Sequence, residues 1–228
     1  MIRLSITSSD LASFAKLSGF LGLAVAALTL FLRRDLLSES PFTVAAQVAS
    51  AAVSVPTFLL LIVQNVSWKH PRLAKLLGRR MVHGLWWGEL HSNYVDTNGV
   101  RVSKPIEIAF VIRQTFLTLS IKSYTADIPG ESILETLHAH PVDGDAKLRY
   151  AYEMIRWANS ENKAIRGYGD LVLGGGDMEL AGDYWTNSPS AGRVFLKLLS
   201  RDCEDVRSFS DAQRMKQQQR AGAALLKF

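Results

Sequence analysis

The spacing of apolar positions along the chain changes once, near residue 82. Before that point apolar residues come in unbroken runs. After it they alternate with polar ones. Residues 11–32 read "LASFAKLSGFLGLAVAALTLFL" and contain one charge, Lys16, near the start. At about 1.5 Å per residue this run makes a helix of roughly 33 Å, enough to cross a hydrocarbon core of about 30 Å. Residues 43–63, "TVAAQVASAAVSVPTFLLLIV", are also of spanning length, with Gln47 and Pro56 as interruptions and small residues in the first half. Small residues suit helix packing in lipid, and proline is tolerated there because neighbouring groups take up the freed carbonyl. The two runs predict a helical hairpin with two membrane spans. A cleaved signal peptide or a buried soluble hairpin would share the first run, but Arg33-Arg34 follow it as a stop-transfer signal would, and a second apolar run comes ten residues later.

Beyond residue 82 the pattern has period two, broken by turn residues. Strands are predicted over residues 84–95, 102–114, 116–124, 133–140, 146–156, 165–173, 178–186 and 193–200, separated by "DTNG", "DIPGES", "PVDGD", "ENK", "GGGD" and "NSPSAG". Eight short strands with tight connections predict an antiparallel sheet closed into an eight-stranded β-barrel, the size that holds one small ligand or is filled by its own side chains. Closure also removes the free pairing edges of an open sheet. "GGG" reads as a turn and not as a phosphate loop, since no Lys-Ser/Thr follows. The last stretch, "SDAQRMKQQQRAGAALLKF", predicts a Ser210-capped, loosely docked or frayed helix. The expected organisation is a two-span anchor over 1–66, a basic linker over 67–82, a β-barrel over 83–200 and a helix or tail over 201–228.

Charge adds orientation and removes one function class. Residues 64–88 hold Lys69, Arg72, Lys75, Arg79 and Arg80 with no acid, which places the segment after the second span in the cytoplasm, and two spans then put both termini there too. The outer-loop pair Arg33-Arg34 is outweighed. Residues 1–82 carry 9 basic and 3 acidic side chains, residues 83–200 carry 11 and 14, and residues 201–228 carry 6 and 4. The sequence pI of about 9.4 therefore reports membrane topology. The alternating region is mildly acidic, and no DNA or RNA duplex is an expected partner. The lone cysteine, Cys203, allows no internal disulfide and fits a reducing compartment.

The strand residues "GLWWG" (84–88), "RQTF" (113–116), "LRYAY" (148–152), "LAGDYWTN" (180–187) and "SAGRVFLKL" (190–198), after a two-span anchor, resemble the membrane-anchored two-transmembrane β-barrel effectors of bacterial cyclic-oligonucleotide anti-phage signalling, CBASS, which are CD-NTase-associated proteins. The resemblance runs from Leu11 to about Ser200, and Gly182-x-Tyr184-Trp185-Thr186 before the Gly192 turn is its most specific part. It implies an antiviral defence effector in the bacterial inner membrane. Its barrel would bind a cyclic dinucleotide made by a partner nucleotidyltransferase, and its helices would then oligomerise and disrupt the bilayer, ending in abortive infection. No cofactor is implied beyond that nucleotide.

Such a ligand has flat bases and anionic phosphates, so its site needs aromatic platforms and hydrogen-bond donors. Tyr150 and Tyr152 share a strand face, Tyr94, Tyr184, Trp185, Thr186 and Asn187 end strands near loops, and Arg113, Lys122, Arg149 and Arg156 are cations within strands. If the tyrosines look inward, Arg149 looks outward. Gly84, Trp86 and Gly88 form the Gly-x-Trp-x-Gly arrangement that small ligand-binding barrels share at their first strand, with Trp86 as a structural plug across the floor and Trp87 turned outward toward lipid, the anchor or a partner surface. His91, His138 and His140 lack an acidic or cysteine partner at ligand spacing, so no metal is expected. Without a nucleophile–base pair or paired carboxylates, the expected protein is not an enzyme. Two other readings compete: a barrel that binds a lipid or other apolar molecule, which requires an apolar lining, and a scaffold whose barrel is filled by its own side chains.

Overall fold

A computed structural model describes residues 5–32, 40–65, 74, 77–94, 104–139, 145–157, 162–188 and 190–225. It divides into two compact units, residues 6–79 and residues 80–228 together with residues 1–5. His140, the basic residues Lys69, Arg72 and Lys75, the pair Arg33-Arg34, the "DTNG" turn, most of "PVDGD" and the side chain of Arg156 lie outside the described residues.

The first unit is a helical hairpin of α1 (Ser8–Leu32) and α2 (Pro41–Asn65). Both helices are long and apolar enough to cross a membrane. Thr7 and Asp10 cap α1 reciprocally, Thr7 N–H donating to Asp10 Oδ2 at 3.0 Å and Asp10 N–H to Thr7 Oγ1 at 3.2 Å. Phe14, Ser18 and Gly22, spaced four apart, are buried along one face of α1, whereas Phe20, Leu23 and Phe31 are exposed. Pro56 lies inside α2 and has no N–H to offer the carbonyl of Ala52. One residue on, the Thr57 hydroxyl donates to Val53 O at 2.9 Å. Asp10 and Arg79 form an ion pair at 3.8 Å, so residue 79 sits beside the start of α1.

The second unit is a closed antiparallel barrel in sequential order. Its strands are β1 (Gly84–Ser92), β2 (Ile106–Gln114), β3 (Leu119–Tyr124), β4 (Pro129–Ala139), β5 (Ala146–Trp157), β6 (Asn162–Gly174), β7 (Glu179–Thr186) and β8 (Ala191–Ser200). The register puts Trp86 opposite Phe110, Ile112 opposite Ile121, Tyr150 opposite Gly169 and Leu180 opposite Leu196, so these residues share the inner face. Two boundaries differ from the sequence reading. Residues 115–118 form a turn, with Thr118 N–H on Thr115 Oγ1 at 3.0 Å, so β3 begins three residues later. β4 starts at Pro129, inside what reads as the "DIPGES" turn, because a bulge between Ser132 and Leu134 adds one residue and turns Ile133 and Leu134 both outward.

At the closed end the chain enters through residues 80–83. The Gln114 carboxamide oxygen accepts Val82 N–H at 2.8 Å and His83 N–H at 3.2 Å, while its Nε2 donates to Arg80 O at 3.0 Å. The Arg201 guanidinium donates to Met81 O, His83 O and Asp177 O and lies 5.8 Å from the Trp86 ring. Burial lowers its pKa, offset in part by Asp177. Ser5 N–H donates to Leu117 O at 2.8 Å at this same end.

A third helix, α3 (Phe209–Leu225), packs on the outer wall of β1 and β2. Its cap is Ser208 and not Ser210: Ser208 Oγ accepts Asp211 N–H at 3.2 Å and donates to Asp211 Oδ2 at 2.7 Å. It docks through its first two turns, where Phe209, Ala212 and Met215 recur every three residues and cover Leu85, Trp87, Ala109 and Val111. Trp87 accordingly faces neither lipid nor an open partner surface. It is buried against Phe209 at a centroid distance of 5.2 Å, with Lys216 Nζ 4.2 Å from its ring.

Candidate functional site at the barrel mouth

The barrel interior has two halves. The closed half is filled by Trp86, Ile112, Ile121, Leu148, Leu171 and Leu180, all essentially without solvent exposure. Trp86 is the floor, its Nε1–H donating to Val82 O at 2.8 Å. Gly84, which starts β1, has φ +139°, and a Cβ there would stand 2.5 Å from Ser200 O, so only glycine brings the chain in so close to β8. Gly88 lies inward two residues past Trp86, opposite Ile108.

The other half opens into a cavity of about 240 Å³ at the end where β1, β3, β5 and β7 finish. Tyr94, Tyr150, Tyr152, Tyr184 and Thr186 line it. Tyr150 packs edge-on to Phe110 at 5.7 Å and lies 5.6 Å from Tyr152, giving a continuous aromatic wall. Inward glycines make that wall possible. Tyr152 lies over Gly167 and Tyr150 over Gly169, where any side chain would overlap the rings. Burial raises the pKa of Tyr150, Tyr152 and Tyr184; a hydrogen bond from Ser92 works against this for Tyr184.

Hydroxyl groups, which sequence reasoning did not single out, complete the lining: Ser92, Ser123, Thr125, Ser188 and Ser190. Their only signal was even spacing with inward residues, Ser92 with Trp86 and Ser123 with Ile121. Thr186 Oγ1 contacts Ser188 O and stands 3.1 Å from Ser190 Oγ, so the β7–β8 turn holds a small cluster of hydroxyls. The rest of the lining is apolar, with Ile106, Ile108, Met154, Ile165 and Val194 beside Phe110. Among the described residues lining the cavity there is no lysine, arginine or histidine, and one acid, Asp127.

The remaining candidates lie elsewhere, because alternation sends them to the outer wall. Arg149 pairs with Asp170 at 3.3 Å. Arg113 donates to Glu204 O at 3.3 Å, and Lys122 stands opposite Glu131 in the register. Trp185 is 53% exposed and stacks on Tyr168 at 4.5 Å. Asn187 ties the rim, its Oδ1 accepting Arg166 N–H at 2.9 Å. The structure thus gathers the tyrosines and Thr186 and leaves Arg113, Lys122, Arg149, Trp185 and Asn187 outside the cavity.

No family profile matches the chain. Over 154 residues it is 27% identical to CD-NTase-associated protein 15 of Staphylococcus schleiferi, an alignment that spans 67% of this chain and 79% of that protein. The architecture is compatible with a non-catalytic, CBASS-associated effector. Two apolar helices followed by a closed eight-stranded barrel, together with this homology, uphold the resemblance to the membrane-anchored β-barrel effectors of CBASS.

Proposed function

We propose that the chain is an anti-phage defence effector whose barrel binds a cyclic dinucleotide at its mouth, after which the hairpins associate and disrupt the inner membrane, causing abortive infection. The observation that carries this reading is a tyrosine- and hydroxyl-lined cavity in a chain that also holds two helices of spanning length. Aromatic rings stack on bases of any sequence, at about 1–3 kcal/mol per base. The filled closed half and open mouth argue against a scaffold plugged throughout by its own side chains.

In this reading residues 1–66 anchor, residues 67–82 link and residues 83–200 sense, and the ligand comes from a partner nucleotidyltransferase. The barrel and both termini are cytoplasmic. The Asp10–Arg79 pair supports an even number of crossings by holding residue 79, which follows the second span in sequence, beside the start of the first.

One observation favours a second reading, a lipid or other apolar ligand: the cavity's apolar wall and the absence of a cation among its described residues. The deciding experiment is a thermal-shift screen of the purified protein against cyclic di- and trinucleotides, beside native mass spectrometry of the same sample. Stabilisation by a cyclic nucleotide supports the sensor. A co-purified lipid and no shift with any nucleotide support the second reading.

A further inference from the structure

Among the described residues, the lining of the cavity carries a carboxylate and no cation. That carboxyl group is the side chain of Asp127. Asp127 sits in the β3–β4 turn, fixed there by Thr125, whose Oγ1 accepts Ile128 N–H at 3.1 Å and whose backbone N–H donates to Ile128 O at 3.3 Å. The turn holds Asp127 at the rim with no hydrogen bond or ion pair to its own side chain among the described residues.

In the sequential closed barrel the β3–β4 and β7–β8 turns are four strands apart, on opposite sides of the mouth. One side therefore presents an unpaired acceptor. The other is lined by Thr186, Ser188 and Ser190. A phosphate placed beside Asp127 is repelled, whereas a base edge rich in N–H groups is held. Guanine offers two adjacent donors, N1–H and the N2 amino group, that match the two oxygens of one carboxylate. Adenine and cytosine present one amino group beside an acceptor, and uracil one N–H between two carbonyls.

We propose that Asp127 selects a guanine-containing cyclic dinucleotide, pairing bidentately with the Watson–Crick edge of one base while the phosphates face the Thr186–Ser188–Ser190 side of the mouth. This rests on the cyclic-dinucleotide reading above and names the base that reading leaves open.

The test is calorimetric titration of the full chain in detergent with cyclic di-GMP, cyclic di-AMP and cyclic di-UMP, for the wild type and Asp127→Asn. Asp127 is exposed, so an unchanged thermal midpoint is the expected folding control. The wild type is expected to prefer cyclic di-GMP. Asp127→Asn should weaken that ligand by about tenfold or more, the usual worth of a bidentate base contact, and narrow the gap to cyclic di-AMP, whose adenine a carboxamide can pair. Ser188→Ala with Ser190→Ala should weaken every cyclic dinucleotide that binds, with no change in base preference. An equal rise in affinity for all ligands in Asp127→Asn would show that the carboxylate only repels, and would overturn the assignment while leaving the sensor intact. Absence of a guanine preference in a wild type that binds another cyclic dinucleotide would overturn it in the same way. A wild type that binds none of the three and gives no shift in the wider screen would remove both readings together.

Discussion

The ring of Tyr152 lies directly over the backbone of Gly167 on the neighbouring strand, with no room for a Cβ between them. The pair is a cross-strand neighbour in the β5–β6 register, and Tyr150 repeats the arrangement over Gly169 one layer deeper. A glycine in a strand gives up packing and backbone order, so two of them two residues apart on one inner face mark a place where rings lie flat against the wall. Flat rings leave the mouth open and still present a stacking surface to it.

Gly167→Ala is the direct probe of this arrangement. The added methyl group must push the Tyr152 ring toward the lumen, at a cost typical of overpacking, about 1–3 kcal/mol. Urea denaturation of the variant should show that loss, and ligand affinity should fall with it because the displaced ring occupies the cavity. Wild-type stability and affinity together would mean that the rings do not bear on the site.

Trp86 joins the floor of the lumen to the root of the linker, since its indole N–H is held by Val82 O and the Arg201 guanidinium sits over its ring. Trp86→Phe keeps most of the apolar volume and strands a buried carbonyl. We expect a loss of about 1–3 kcal/mol in denaturant unfolding. A loss near zero would show that water or another donor reaches Val82 O.

The tyrosines set an alkaline limit on barrel stability. Burial raises the pKa of Tyr150 and Tyr152 above that of the unfolded chain. Below about pH 10 both states keep their protons and the stabilisation is complete. As pH rises further the unfolded chain loses its phenolic protons first, so unfolding becomes easier. Tyr150→Phe should therefore flatten the fall in stability above about pH 10, as read from denaturant midpoints at successive pH values. A variant as alkali-sensitive as the wild type would contradict this.

Much of the fold is legible in the sequence because burial on one face fixes period two. Trp86, Gly88 and Leu90 share a phase, as do Leu148, Tyr150 and Tyr152, and closure of the barrel follows from eight such segments. Where the phase slips, the pattern misleads. Ile133 and Leu134 both point outward at the bulge, so Pro129 and Gly130 read as a turn although they pair with Tyr124 and Ser123. The docking face of α3 is hidden because its few apolar residues stand among glutamines and arginines. The same alternation that brings Tyr150 inward sends Arg149 out to Asp170, which is why the tyrosines gather at the mouth and the strand cations do not. Serine carries almost no burial signal, and so Ser123, Ser188 and Ser190 became visible only through the closed geometry.

Two helices enclose no pore, so disruption of a bilayer requires several hairpins. Ala49 and Ala52, one turn apart on α2, are exposed, and Pro56 leaves the carbonyl of Ala52 without its intrahelical donor. Small residues beside a freed carbonyl suit close helix contact between copies. Ala49→Leu with Ala52→Leu should reduce ligand-dependent cross-linking in membranes and cell killing, with barrel affinity unchanged. Undiminished cross-linking would move the contact to another face.

In an effector of this kind, ligand at the barrel mouth governs the state of the membrane. The most direct measurement is dye release from liposomes holding the full-length protein, before and after addition of the cyclic dinucleotide that binds it, with the Gly167→Ala variant in parallel. Intact liposomes are expected without ligand, release on its addition, and a clear shift to higher ligand concentration in the variant. Release that is the same with and without ligand, or tight binding with no release, would contradict that control by ligand.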